Sequence, residues 1–171
     1  VRACIEDRVR DDARVRAMIE VFGNAKKAVM EAVRAGGARD VGRLLAVPGV
    51  DPAADNNAAI CGAAKNGHLA VVERLLAVPN VDPTARDNAA VRWAAANGHL
   101  PVVERLLAVP GVDPTAHDNE PIRWAAANGH LAVVERLLAV PNVDPAARHN
   151  GAIRLAAANG HLAVVERLLA V

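Results

Sequence analysis

Histidines, cysteines and a ladder of arginines are the residues of this chain with the means for chemistry. Four histidines, His68, His99, His130 and His161, each stand in the string Asn-Gly-His-Leu. An imidazole can act as a base or a metal ligand, but both tasks need a second group, either a carboxylate or thiol at ligand spacing or a nucleophile held beside the ring. None accompanies these four, so they read as structural, and His117 and His149 on loops are weaker ligand candidates still. Cys4 and Cys61 fall in no Cys-x-x-Cys or Cys/His spacing, which argues against a disulfide framework and for a reducing compartment. The chain has no Ser, Gln or Tyr, and Thr only at Thr84 and Thr115, so a serine nucleophile is excluded. Without a glycine-rich phosphate loop or an oriented Cys or Thr either, the reading is a non-enzyme with no metal and no cofactor.

Recognition is the remaining chemistry. Lys and Arg number 20 against 19 Asp and Glu, a formal charge of +1, which leaves no broad field to draw in nucleic acid or anionic lipid. The apolar fraction of 53% suffices for a core, yet apolar runs such as Leu75 to Val78 fall far short of the about 20 residues a bilayer crossing takes. The expected partner is therefore another protein, with no nucleic acid and no membrane insertion, in the cytoplasm or another reducing intracellular compartment. No signal segment opens the chain, and it starts at Val1, as a fragment or processed product would.

What positions these residues is a repeat. The Asn-Gly-His-Leu strings recur every 31 residues, each followed by Val-Val-Glu-Arg-Leu-Leu-Ala-Val. In the unit 82–112, Asn88 stands just before the run Ala89 to Ala96, a place where its side chain is expected to cap the first helix; Asn57, Asn119 and Asn150 hold the same place in the other units. Asn97 and Gly98 end that helix, since glycine takes the left-handed C-cap conformation without a Cβ penalty. Leu100 to Ala108 then predict a second helix, with Val102, Val103, Leu106 and Leu107 on one side and Glu104 and Arg105 on the other. Pro101 suits its first turn and Pro110 stops it. Neither helix buries its apolar face alone, so the pairs must stack into a solenoid.

These units resemble the ankyrin repeat. Gly98, His99, Val102, Val103, Leu106 and Leu107 match the family's Gly-His, Val-Val and Leu-Leu positions, and the match recurs through residues 51 to 171. The unit departs at the first helix start, where the family's Thr-Pro-Leu-His becomes Ala89, Ala90, Val91, Arg92 or Glu120, Pro121, Ile122, Arg123, and it is shorter than the family's roughly 33 residues. The resemblance implies an all-α helix-pair solenoid of five stacked pairs with shortened hairpin loops, free of regular strands, and histidines that hold the inter-helix turn. The expected organisation is a helical extension over 1–24, then a repeat domain over 25–171: a degenerate capping repeat at 25–50 and repeats at 51–81, 82–112, 113–143 and 144–171. In the cap, Gly37, Ala38 and Asp40 replace His68, Leu69 and Val71. In the extension, Ile5, Val9, Ala13 and Ala17 line up with opposite charges four apart at Arg2/Glu6, Glu6/Arg10 and Asp12/Arg16, predicting a helix over the stack's first face.

Positions that change from unit to unit are free to serve recognition. They gather in the loop and at the first helix start: Asp55, Asn56, Arg86, Asp87, His117, Asp118, Glu120, Arg148 and His149. In ankyrin proteins this surface commonly carries partner contacts, which makes these residues the candidate binding set. Trp93 and Trp124 occupy equivalent sites and fit two roles, a paired anchor on the groove or core packing. Arg92, Arg123 and Arg154 form a ladder suited either to a carboxylate-rich partner or to carbonyls of the adjoining loop. At the other end, Val164, Val165 and Leu168 keep the apolar pattern with no polar replacement, leaving an edge that something could cover. The function expected is a non-catalytic protein-interaction scaffold; the alternative is a structural subunit of a larger assembly that docks through this last repeat onto another subunit or copy of itself.

Overall fold

In a computed structural model of the chain, residues 13–20 and 23–171 are described. Ile5 and Val9 of the expected row, the pairs Arg2/Glu6 and Glu6/Arg10, and Asp12 of the pair Asp12/Arg16 lie outside them. Within the described residues a short helix over 13–20 (α1) precedes five helix pairs, and there is no strand. The first helices are Ala25–Arg34 (α2), Ala54–Lys65 (α4), Ala85–Ala96 (α6), Ala116–Ala127 (α8) and Ala147–Ala158 (α10). The second helices are Ala38–Leu45 (α3), Leu69–Leu76 (α5), Leu100–Leu107 (α7), Leu131–Leu138 (α9) and Leu162–Leu169 (α11).

Small residues let the first helices approach one another closely. Ala63, Ala64, Ala94, Ala95, Ala125, Ala126 and Ala156 are fully buried, and α4, α6, α8 and α10 pack side by side. The larger side chains of the second helices fill the rest of the interior: Val71, Val72 and Leu75, and their counterparts Val103, Leu106, Val134 and Leu137, lose all contact with solvent. One continuous core therefore runs through every unit, as stacking requires. Pro101 takes the first turn of α7, where its missing N–H costs nothing.

Each inter-helix turn is a Schellman motif. At the end of α4 the His68 N–H reaches back to the Ala63 carbonyl at 3.0 Å and Gly67 to Ala64 at 3.2 Å, with Gly67 at φ +74°. The histidine expected to hold the inter-helix turn does so across the unit boundary. His99 donates from Nε2 to the Lys65 carbonyl at 3.0 Å, and its ring lies where a Cβ on Gly67 would sit, 2.5 Å from Nδ1. His68 and His130 make the same bond to Arg34 and Ala96. Glycine is thus required twice there, for its backbone angle and for the ring stacked on it.

The start of the first helix differs from expectation. Asp55, Asn56 and Asn57 have φ of 53°, 54° and 60°, a left-handed turn closed by a 2.9 Å bond from the Asn57 N–H to the Ala53 carbonyl, and the right-handed helix begins only afterwards. Arg86–Asn88, His117–Asn119 and Arg148–Asn150 repeat it. L-residues resist this conformation by about 1–2 kcal/mol each, with Asn, Asp and His the most tolerant. All these positions but Arg86 and Arg148 carry one of those three. Pro121 lies in the first right-handed turn after this element, so it displaces no helical bond.

Asn57, Asn88, Asn119 and Asn150 accordingly do not cap their own helices. All four have φ near +60°, and in Asn57, Asn88 and Asn119 the Oδ1 accepts the backbone N–H of the next unit instead: Asp82 at 2.8 Å, Asp113 at 2.9 Å and Asp144 at 2.8 Å. The true N-cap of this kind is Asn24, extended at φ −164°, which accepts from the Lys27 N–H at 2.8 Å.

Candidate functional site

The left-handed turns form a row of tips, one per unit, and the variable residues stand on it. Asp55, Asn56, Arg86, Asp87, His117, Asp118, Arg148 and His149 are all exposed. The structure pairs most of them with one another. Lys26 Nζ meets Asp55 at 2.6 Å, His117 Nε2 meets Asp87 at 3.4 Å, and Arg148 Nε meets Asp118 at 2.8 Å, so the basic group of one unit and the carboxylate of its neighbour close a seam along the tips. Exposed pairs of this kind contribute about 0–1 kcal/mol each and are screened by salt. They orient side chains more than they stabilise the fold.

The arginine ladder answers the carbonyls that a left-handed turn leaves facing outward. Arg123 donates from Nε to the Asp118 carbonyl and from Nη2 to the His117 carbonyl, both at 3.0 Å. Arg92 reaches the Arg86 and Asp87 carbonyls from Nη1 and also binds Glu120 Oε2 from Nε at 2.8 Å. Cys61 breaks the ladder in the second unit, and there Arg86 of the following unit bonds the Asp55 and Asn56 carbonyls in its place. Cys61 is buried, and burial pushes its thiol above the ordinary range, the Arg86 charge opposing only in part. It stays neutral and packed.

The two tryptophans separate. Trp93 is half-buried against the core with Lys65 Nζ 6.0 Å from its ring centroid, whereas Trp124 is 45% exposed and holds its Nε1 on Glu120 Oε1 at 2.9 Å. Glu120 is thus turned inward to Arg92 and Trp124 and is only half-exposed. His149 and Arg154 are exposed and make no hydrogen bond or ion pair among the described residues. Arg154 was legible as the last rung of the ladder; that it alone lacks carbonyl partners was not.

The repeating core, the glycine under each histidine ring and the pairwise stacking meet in one comparison: a family model described as ankyrin repeats (3 copies) matches residues 29–118 and 91–171. The chain belongs to the ankyrin repeat family. Comparison with curated proteins finds no match. Ankyrin repeats generally mediate protein–protein interaction. Among the described residues no group of three or more His, Cys, Asp or Glu is gathered for a metal ion, and no helix is long and apolar enough to cross a membrane.

At the far end of the ankyrin stack the expected edge needs correction. Val164 and Leu168 are only 2% and 8% exposed because they pack inward on their own unit, and Val165 is half-buried. The apolar groups open to solvent there are Leu162, Leu169 and Val171, at 67%, 71% and 70%. Leu162 and Leu169 are the first and last residues of α11, and Val171 follows it.

Proposed function

We propose that the protein is a non-catalytic interaction scaffold that grips a partner protein between its tips and the exposed surface of its first helices. The observation that carries this is Trp124: a large aromatic left in solvent on a helix, with its polar edge already satisfied by Glu120, is an anchor prepared in advance. Arg148, His149 and Arg154, exposed in the following unit, offer donors, and Asp118 at the tip of Trp124's own unit offers an acceptor. Asp55, Asn56, Arg86, Asp87 and His117 extend the surface along the tips, and Trp93, half-buried against the core, belongs to the same set of first-helix residues. The chain has no serine, and its one described cysteine, Cys61, is buried with its thiol pushed above the ordinary range, which supports reading the surface as one for binding.

The test is quantitative capture by the full chain against a variant with Trp124→Ala, Arg148→Ala and Arg154→Ala, all at exposed positions. Proteins bound through this surface are expected to fall in yield tenfold or more with the fold unchanged by circular dichroism. An unchanged profile of captured proteins rejects the site.

A further inference from the structure

Trp93 and Trp124 hold equivalent places in successive units, yet the chain treats their rings differently. Lys65, the last residue of α4, sets its Nζ 6.0 Å from the Trp93 ring centroid, at the reach of an ammonium attracted to the negative face of an indole. One period further on, the same two places are held by Ala96 and Trp124. Ala96 ends α6 as Lys65 ends α4, but its methyl group carries no charge, and among the described residues no cation lies over Trp124. The change runs along the array: Arg34 and Lys65 hold this place in the first two units, and Ala96, Ala127 and Ala158 in the next three. In the fourth unit a ring that is 45% exposed has therefore lost the cation that an earlier unit supplies to its counterpart. With Nε1 donating to Glu120 at 2.9 Å, the indole is held by its edge, and what it still offers is a π-face.

We infer that Trp124 is the seat of a basic side chain, lysine or arginine, that the partner protein presents, in the place where Lys65 meets Trp93 within the chain. This deepens the reading of Trp124 as an anchor and rests on it. The chain's own contact one unit earlier sets the precedent. Glu120 adds to it, because an N–H bonded to a carboxylate is polarised toward it and leaves the rest of the indole richer in electron density. An aliphatic group would bury area on the ring and gain nothing from its quadrupole; a carboxylate would meet repulsion from the ring face and from Glu120 alike. Arg92 and Arg123 are engaged, the first with Glu120 and the second with the His117 and Asp118 carbonyls, so neither supplies the missing charge. Arg148 and Arg154, exposed in the next unit, oppose a long-range attraction of bases. The preference is thus carried by contact with the ring and is expected to survive moderate salt, as a surface ion pair does not.

The probe is a phage-displayed library of random peptides, selected on the full chain and counter-selected on Trp124→Leu, which keeps an apolar side chain at this exposed position and removes the π-face. Peptides that depend on Trp124 are expected to carry a lysine or arginine whose replacement by methionine weakens binding roughly threefold to thirtyfold, the range for a partly or fully desolvated cation–π contact. A second pair of variants acts from within the chain. Ala96→Lys, at a helix end where Lys65 already shows that lysine is accepted, is expected to fill the seat and weaken the same peptides comparably, whereas the uncharged Ala96→Met should leave them within about twofold. Circular dichroism and thermal melting confirm that each variant is folded. Trp124-dependent peptides that keep their affinity without lysine or arginine overturn the inference and leave the anchor standing, and equal effects of Ala96→Lys and Ala96→Met do the same. A selection that yields no Trp124-dependent peptide overturns both the inference and the reading it rests on.

Discussion

Asn119 and Asn150 occupy the same place in consecutive units, and the structure assigns them different energies. Asn119 Oδ1 accepts the Asp144 N–H at 2.8 Å in a site 9% exposed, whereas Asn150 is exposed and its carboxamide has no hydrogen-bond partner among the described residues. Replacing either by glycine keeps the left-handed angle available and adds the same chain entropy to the unfolded state, so those terms cancel in the difference between the two variants. What remains is the inter-unit bond, about 1–2 kcal/mol including the N–H left without its partner. At 2–4 °C per kcal/mol for a chain of this size, Asn119→Gly should melt roughly 2–8 °C below Asn150→Gly. Urea unfolding followed by circular dichroism checks the free energy, and hydrogen exchange at the Asp144 amide checks its location. Exchange there should accelerate in Asn119→Gly only. Equal losses from the two variants, with Asp144 unaffected, would mean that each asparagine serves its own helix, and the account of how units are joined would be wrong.

Three further outcomes follow from the same geometry. Gly98→Ala should cost clearly more stability than Gly160→Ala: both bear about 1 kcal/mol of left-handed strain, but at Gly98 the new methyl also meets the His130 ring at 2.5 Å, and differential scanning calorimetry of the two variants measures the gap. Burial raises the Cys61 thiol above its ordinary 9.0, so the neutral form is favoured in the folded state; the stability this contributes is present below that pH and lost as pH rises past it, and Cys61→Ala should flatten the decline in alkaline urea titrations. The half-buried pair Arg92–Glu120, with side chains 15% and 19% exposed, should show a coupling of about 0.5–1 kcal/mol in a double-mutant cycle, while Arg148–Asp118 at 62% and 61% should approach zero in moderate salt.

Much of this architecture can be read from residue order because the signals that build it are local. Gly98 and Asn97 at a helix end, Pro101 in a first turn and Pro110 beyond a last one each act within a few residues, and the period of 31 multiplies them into a fold. The asparagine before the first helix misled for a physical reason. Asn is favoured both as an N-cap and in the left-handed region, and what decides between them is a carboxamide partner 25 residues ahead in another unit. The triplets Arg-Asp-Asn and His-Asp-Asn held the signal, since Asp, Asn and His are the residues that tolerate positive φ. At the last unit, hydrophobic periodicity separates apolar from polar faces of α11 but not the side toward its own partner helix from the side toward a neighbour. Leu168 and Leu169 are therefore alike in sequence and opposite in exposure, at 8% and 71%. The pairing of Trp124 with Glu120 was not anticipated although it follows a four-residue helical spacing, and the capture of Glu120 by Arg92 of the previous unit has no such local signal.

The way the tips are tied bears on how they would recognise a partner. The left-handed turns ending at Asn57, Asn88 and Asn119 are fixed by bonds of two kinds: an uncharged Asn carboxamide bond to the next unit's backbone, part-buried at Asn57 and Asn119, and contacts of charged arginine or histidine side chains. Raising salt weakens the second kind and leaves the first, so the turns keep their shape while His117 is released from Asp87 and Arg148 from Asp118. A surface made this way meets a partner with its backbone already ordered, and only a few long side chains remain to be fixed on binding, at about 0.5–1.5 kcal/mol each. It follows that a change in one unit is felt in its neighbour, because Arg86 holds the carbonyls of Asp55 and Asn56 and Asn119 holds the backbone of Asp144. Exchanging one unit's variable triplet without its neighbour's should therefore disturb the contacts of both units at once.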